Sequence, residues 1–223
     1  MPHATTGKGY RGMGMEGLTA KWYASLTRKA AEDFKALARR VAAETKPGSD
    51  VLEVAPGPGY FAIELAKLAS YRITGLDISH TFVEIAHKNA SEAGVEVDFR
   101  HGNASNMPFD DKSFDFLLCR AAFKNFSEPV RALREMYRVL KPGGRALIID
   151  LRKDAPPASV SQAVDEMRLG AVNTIITKLT FRFMLLKRAY TRAEFEQMVA
   201  ETEFESIHIK EDRLGLEVML GRA

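Results

Sequence analysis

Apolar positions along the chain change their period in a regular order. VLEV (51–54) is a short apolar-rich run, and YFAIELAKLA (60–69) follows it with helical spacing. RITGLD (72–77) repeats the first pattern, and TFVEIAHKNASEAG (81–94) repeats the second and closes on a glycine. VDFRHG (97–102) and FDFLLC (114–119) predict a third and a fourth strand. PVRALREMYRVL (129–140) gathers Val130, Leu133, Met136, Tyr137 and Leu140 on one side of a helix. KPGG (141–144) ends that helix, and RALIID (145–150) predicts a fifth strand. Strands alternating with helices make a parallel sheet covered on both faces.

The tail leaves this rhythm. A helical region spans about 158–187, and Thr191 then caps a further helix with Glu194 at the capping-box position. FESIHIKED and GLEVMLGRA predict two strands whose connection is too short for a parallel crossover, so this pair is antiparallel. The expected fold class is α/β: a doubly wound, mostly parallel seven-stranded sheet with helices on both faces and a C-terminal antiparallel hairpin. Right-handed crossovers bring the loops after the strands to one sheet edge, where ligands bind near the switch point of strand order. Positions 55–59, 77–80, 102–104 and 119–125 therefore carry the candidate chemistry.

Composition narrows the partners. A length of 223 residues suits one domain with a substantial core, and 46% apolar with 27% charged residues is ordinary for a soluble protein. The formal charge of +3, from 32 basic and 29 acidic residues, is too mild to argue for nucleic acid. Cys119 is the sole cysteine, so no disulfide forms within the chain and no cysteine cluster holds a metal; a cytoplasmic setting is expected. MPHATTGKGYRGMGMEG lacks the apolar core of a signal peptide and reads as a flexible lead-in. The apolar region from Ala171 to Leu186 is interrupted by Asn173, Lys178 and Arg182, which excludes a stable membrane span.

The strand ends point to a nucleoside. Gly57 and Gly59 allow backbone to approach a ligand, and Asp77 ends the second strand twenty positions after Gly57. An acid there can accept from both ribose hydroxyls. Gly57-Pro58-Gly59-Tyr60-Phe61-Ala62 satisfies the dinucleotide pattern G-x-G-x-x-G/A, so the loop alone fits a nicotinamide dinucleotide or S-adenosylmethionine (SAM). Three features turn away from the dinucleotide. Glu53 stands inside the first strand, no second domain holds a hydride partner, and the terminal hairpin lies outside the dinucleotide pattern.

VLEVAPGPG, GLDIS, GNASNMPF and FDFLLCRAAFKNFSEPVRALREMYRVLKPGG, four motifs in order, resemble those of the class I SAM-dependent methyltransferases of the small-molecule branch. The likeness runs from Val51 to nearly the end, and MEGLTAKWYASLT is similar to the N-terminal helix that closes over the cofactor in that branch. It implies a Rossmann-like methyltransferase fold with SAM as cofactor and S-adenosylhomocysteine as product. Glu53 with Ala55, Pro56, Gly57 and Gly59 would hold the methionyl end, and Asp77 the ribose. Ile78 would pack on the adenine, Asn103 and Ala104 would meet its polar edge, and Cys119 and Arg120 would pass near the transferable methyl. Asn103 is chemically suited, since its amide oxygen can accept from an exocyclic amine. Ala55 stands where the family prefers glycine and is expected to keep a negative φ. Asn103 replaces a commoner aspartate, and Lys124-Asn125 replace histidines of many relatives.

The resemblance implies transfer to a small-molecule acceptor by in-line displacement, driven by proximity and orientation and with no obligatory base for a thiolate, amine or ionised phenol. Tyr23, His80, His101 and Lys124 are the candidate bases, with none assigned, and no metal is expected. Trp22, Tyr23, Phe123 and Lys124 are the candidate substrate contacts. The acceptor pocket is expected between the N-terminal helix and 155–190, where Met167, Leu169, Ile175, Ile176, Leu179, Phe181, Phe183, Met184 and Leu185 interleave with Arg168, Lys178, Arg182, Lys187 and Arg188. A solvated basic face on an amphipathic cap or a lipophilic acceptor would each explain that pattern. CRAAF after the fourth strand is not the Asn/Asp-Pro-Pro-aromatic stretch of base-amino methylating enzymes. The alternatives are a non-catalytic SAM-binding partner protein, an NAD-dependent oxidoreductase and an RNA methyltransferase. One domain is expected over 1–223, with lead-in and cap helices in 1–48, the SAM-binding core in 49–150, a substrate-side insertion in 151–190 and the last helix and hairpin in 191–223, as a monomer or homodimer.

Overall fold

The computed structural model describes residues 9–11, 14–28, 31–166, 170–181 and 185–223. Strands β1 (Asp50–Val54), β2 (Arg72–Asp77), β3 (Asp98–His101), β4 (Phe114–Arg120), β5 (Leu140–Leu151), β6 (Ser206–Glu211) and β7 (Gly215–Gly221) form one seven-stranded sheet in the order β3-β2-β1-β4-β5-β7-β6. β1, β2, β3, β4 and β5 pair in parallel with one another. β7 runs antiparallel to β6, as the short connection requires, and also to β5. Strand order reverses between β1 and β4, which makes their carboxyl ends the switch point.

The helices are α1 (Gly17–Thr27), α2 (Ala31–Glu44), α3 (Tyr60–Ala66), α4 (His80–Glu92), α5 (Pro129–Val139), α6 (Pro157–Glu166), α7 (Ala171–Thr180), the single turn α8 (Leu186–Arg188) and α9 (Arg192–Ala200). Alternate residues of the central strands face opposite cores. Leu52, Val54, Leu117 and Cys119 pack with Leu133 and Met136 of α5 and Phe195 of α9. Val51, Phe116 and Leu118 pack with Val41 of α2, Phe61 and Leu65 of α3 and Ala86 of α4.

Two segments differ from the sequence expectation. KPGG stops α5 but does not form a loop: Leu140 already pairs with Phe114, a register shift follows, and Gly143 at φ 79° lets the strand continue into β5. The stretch 158–187 is not one helix, and α7 starts afresh after Gly170, whose extended backbone (ψ 155°) cannot belong to a continuous helix. Met167, Arg168, Leu169, Arg182, Phe183, Met184 and the side chain of Ile176 lie outside the described residues. The capping box at Thr191 and Glu194 is present in both directions.

Candidate active site

The loop from Ala55 to Gly59 is built on left-handed backbone. Ala55 has φ 58°, Gly57 φ 55° and Gly59 φ 78°. The expectation of a negative φ at Ala55 is therefore corrected: its N–H donates to Leu76 O at 2.8 Å, and that bond to β2 holds the residue where a glycine would be unstrained. At the end of the adjacent strand Ala121 does the same, with φ 57° and its N–H on Ile149 O at 2.7 Å. Two strained alanines thus flank the switch point. Gly59 N–H donates to Pro56 O at 3.1 Å and Asn89 Nδ2 donates to Pro58 O at 2.8 Å, so the loop is tied at both prolines. A Cβ on Gly59 would come within 2.6 Å of the Phe99 ring, whereas one on Gly57 would meet nothing within 4 Å. Gly57 leaves open space beside the loop.

Two buried carboxylates border that space. Asp77, 5% exposed, accepts from Gly57 N–H on Oδ2 and from Ser79 N–H on Oδ1, both at 2.9 Å. Burial pushes its pKa up to about 6, against the pull of those backbone donors. Each oxygen keeps a lone pair, so the side chain is aimed and still able to accept. Glu53, 4% exposed, accepts one hydrogen bond, from Ala62 N–H at 3.2 Å, and so serves the start of α3 where Gly59 offers no side chain. Burial pushes Glu53 up to about 8; Arg120 opposes this and Asp77 adds to it. A carboxylate this buried with a single donor suits a cationic partner.

Across the sheet edge, Ile78 is 36% exposed and Ala104 is buried. The amide oxygen of Asn103 already accepts from Ser105 N–H at 2.9 Å, so one lone pair of that oxygen remains for a ligand. An unforeseen neighbour covers this corner. A Cβ on Gly9 would lie 2.6 Å from Asn103 Nδ2 and 2.7 Å from Ile78 Cδ1, so the Gly9 backbone rests on both residues. The crossing is held by Tyr10 bridging to Phe126 and by Arg11 N–H on Asn125 O at 2.6 Å. Tyr10 is pushed above the usual phenol range by burial, and Arg188, Tyr23, Asp77 and Asp150 all act on it. Only the glycine itself, small enough for such contact, was visible in the sequence.

The acceptor side divides the predicted residues. Tyr23 faces inward from α1: its ring meets Phe82 edge-on at 5.9 Å, and burial raises its pKa while Arg120, Asp150 and Asp77 act on it. Trp22, beside it, points outward and is 65% exposed. Phe123 is fully buried among Phe126, Tyr190 and Phe195. Lys124 is buried too, with Nζ donating to Asp150 Oδ1 at 2.8 Å and to Ala121 O at 2.6 Å. The cavity beside this pair is about 10 Å³, the lower limit for one water. Cys119 is fully buried in the core and its thiol is pushed well up by burial, while Arg120 lies over the Phe34 ring at 4.5 Å. His80 and His101 stack on each other at 3.6 Å, with His101 Nε2 at 3.1 Å from Ile78 O, on the β2–β3 side of the edge. The structure thus brings Glu53, Asp77, Ile78, Asn103, Ala104, Tyr23 and the 55–59 loop to one place, and turns Trp22 and Phe123 away from it.

Residues 52–148 match the family described as methyltransferase domain. A demethylmenaquinone methyltransferase of Deinococcus radiodurans is 39% identical over 110 residues, 49% of this chain and 44% of that protein. The same-named protein of Listeria monocytogenes is 38% identical over 106 residues, 46% of this chain and 45% of its own length. The chain thus spans less than half the length of these relatives. Among solved structures, one from Methanococcus maripaludis assigned to the SAM-dependent methyltransferases has a TM-score of 0.77 at 20% identity, covering 99% of this chain and 98% of its own. A SAM-dependent methyltransferase from Aquifex aeolicus has a TM-score of 0.62 at 19% identity, with 86% and 98% covered.

Proposed function

We propose that this chain is a class I methyltransferase that moves the methyl group of SAM to a small-molecule acceptor. The observation that carries the reading is the pairing of buried Glu53 and Asp77 around an open, positive-φ loop at the switch point. Residues of this kind fit the cofactor. Asp77 would accept from the ribose hydroxyls, Glu53 would take the ammonium of the methionyl end, and Ile78 with Asn103 would border the adenine. When bound, SAM supplies a methyl already activated on a sulfonium. The protein's task is then to orient and to exclude water, and orientation can supply roughly 7–11 kcal/mol.

No candidate base is free to act at the strand ends. Lys124 is held by Asp150 and Ala121, the two histidines stack on the far side of Asp77, and burial keeps Tyr23 protonated. This arrangement favours an acceptor that reaches the site already nucleophilic, such as an ionised phenol or an amine. The demethylmenaquinone methyltransferases among the relatives support a lipophilic ring acceptor, and the phenol class meets both requirements. The test is turnover with methyl-labelled SAM across phenolic, amine and thiol acceptors of graded lipophilicity. Labelled phenolic product is the expected result; binding of SAM with no transfer to any acceptor would favour a non-catalytic partner protein. No helix among the described residues is long and apolar enough to cross a membrane.

A further inference from the structure

We propose that the outer face of α1 docks the protein on an anionic lipid surface. The inner face of α1 already has its partners: Ala20 and Ala24 are buried, Tyr23 faces the site, and Tyr60 Oη donates to Ala24 O at 2.9 Å. The outer face carries a second apolar row. Leu18, Trp22 and Leu26, one helical turn apart, are 84%, 65% and 47% exposed. A row of large apolar side chains left in water marks an interaction surface rather than a core element. A helix that is apolar on two sides is ordinarily buried on both.

Charge says what covers it. Lys21 and Arg28, seven positions apart and so on one row, border the apolar row, are exposed, and form no ion pair among the described residues. The first 29 residues hold five basic residues and one acid, Glu16, whereas the other 194 hold 27 basic and 28 acidic residues. The positive excess of the chain therefore falls in the stretch of sequence that contains this helix. Glu16 is engaged at the start of α4, where its carboxylate accepts from His80 N–H, Thr81 N–H and Thr81 Oγ1. A second copy related by a two-fold axis would set these cations against each other. An anionic membrane surface meets both the apolar row and its basic flank, and tryptophan is at home at that depth. The proposal stands apart from methyl transfer, since docking is read without turnover.

Trp22 is the sole tryptophan of the chain, so its emission reports on this face alone. The full-length protein is titrated with phosphatidylglycerol and with phosphatidylcholine vesicles, followed by Trp22 emission and by flotation. Expected are a shift to shorter wavelength and co-flotation with the anionic vesicles, both weakened by salt. Leu18→Ser with Leu26→Ser should abolish both, and Lys21→Ala or Arg28→Ala should weaken binding by about fivefold each. Calorimetric binding of S-adenosylhomocysteine by each variant confirms that it is folded. Three results would overturn the proposal: unshifted emission with no flotation, binding indifferent to lipid charge, or a lipid-free shift that grows with protein concentration and so marks a second copy.

Discussion

At the scale of single residues, the two buried acids set the behaviour with pH. Glu53 and Asp77 have folded-state values near 8 and 6, above ordinary values of 4.5 and 3.8. As pH rises the unfolded chain gives up these protons first, so the stability of the ligand-free protein falls between about pH 4 and pH 8. Glu53→Gln removes the upper part of that fall, and thermal denaturation from pH 5 to pH 9 should give a flatter profile for the variant. Ligand affinity has the opposite sign. An ammonium needs the carboxylate of Glu53, so binding of S-adenosylhomocysteine should tighten from pH 6 to pH 8 in the parent and lose that dependence in Glu53→Gln. An affinity that weakens over this range would remove Glu53 from the ammonium site. Ala55 was legible as a departure from glycine but not as a left-handed residue. Its φ comes from the bond to Leu76, a contact between strands that local sequence does not carry. Ala55→Gly should bind the same ligand and Ala55→Val should lose stability, because a β-branched residue tolerates positive φ poorly.

At the scale of elements, strands and amphipathic helices followed the apolar period closely, because their burial is local to each run. β2 falls on the six residues of RITGLD, and the hairpin pairs as its short turn requires. What did not show was long-range. The crossing of Gly9 to Arg11 over Ile78 and Asn103 sets Gly9 against residues 69 and 94 positions away, and nothing in their own sequence announces it. Tyr10→Ala should loosen that crossing and speed dissociation of S-adenosylhomocysteine, which stopped-flow displacement would detect; an unchanged off-rate would separate the crossing from the site. Lys124 was legible as unusual, not as buried. Its pair with Asp150 fixes the 3-10 turn Phe123–Asn125 against β5. Lys124→Met strands a buried carboxylate and should cost about 3–5 kcal/mol in chemical denaturation, most of it recovered when Asp150→Leu is added. A loss of turnover with unchanged stability would instead make Lys124 part of the chemistry.

At the scale of the whole molecule, the switch between β1 and β4 gathers the strand-end motifs, and the α1 side closes over them. The place of β7 between β5 and β6 was not predicted, but the parallel core with one antiparallel hairpin was readable from the run of elements. The division of the acceptor side was not. Trp22 and Tyr23 are adjacent in sequence, yet one faces solvent and the other the site, a choice made by how α1 packs on α4. The central claim is that this edge seats S-adenosylmethionine through Asp77. Calorimetric titration of the parent and of Asp77→Ala with SAM, S-adenosylhomocysteine and NADH tests it most directly. The structure predicts that the parent binds the first two and not NADH. Asp77→Ala should lose about ten- to a hundredfold in affinity, the weight of hydrogen bonds to a charged acceptor. Tight NADH binding without SAM binding, or an Asp77→Ala variant as tight as the parent, would contradict it.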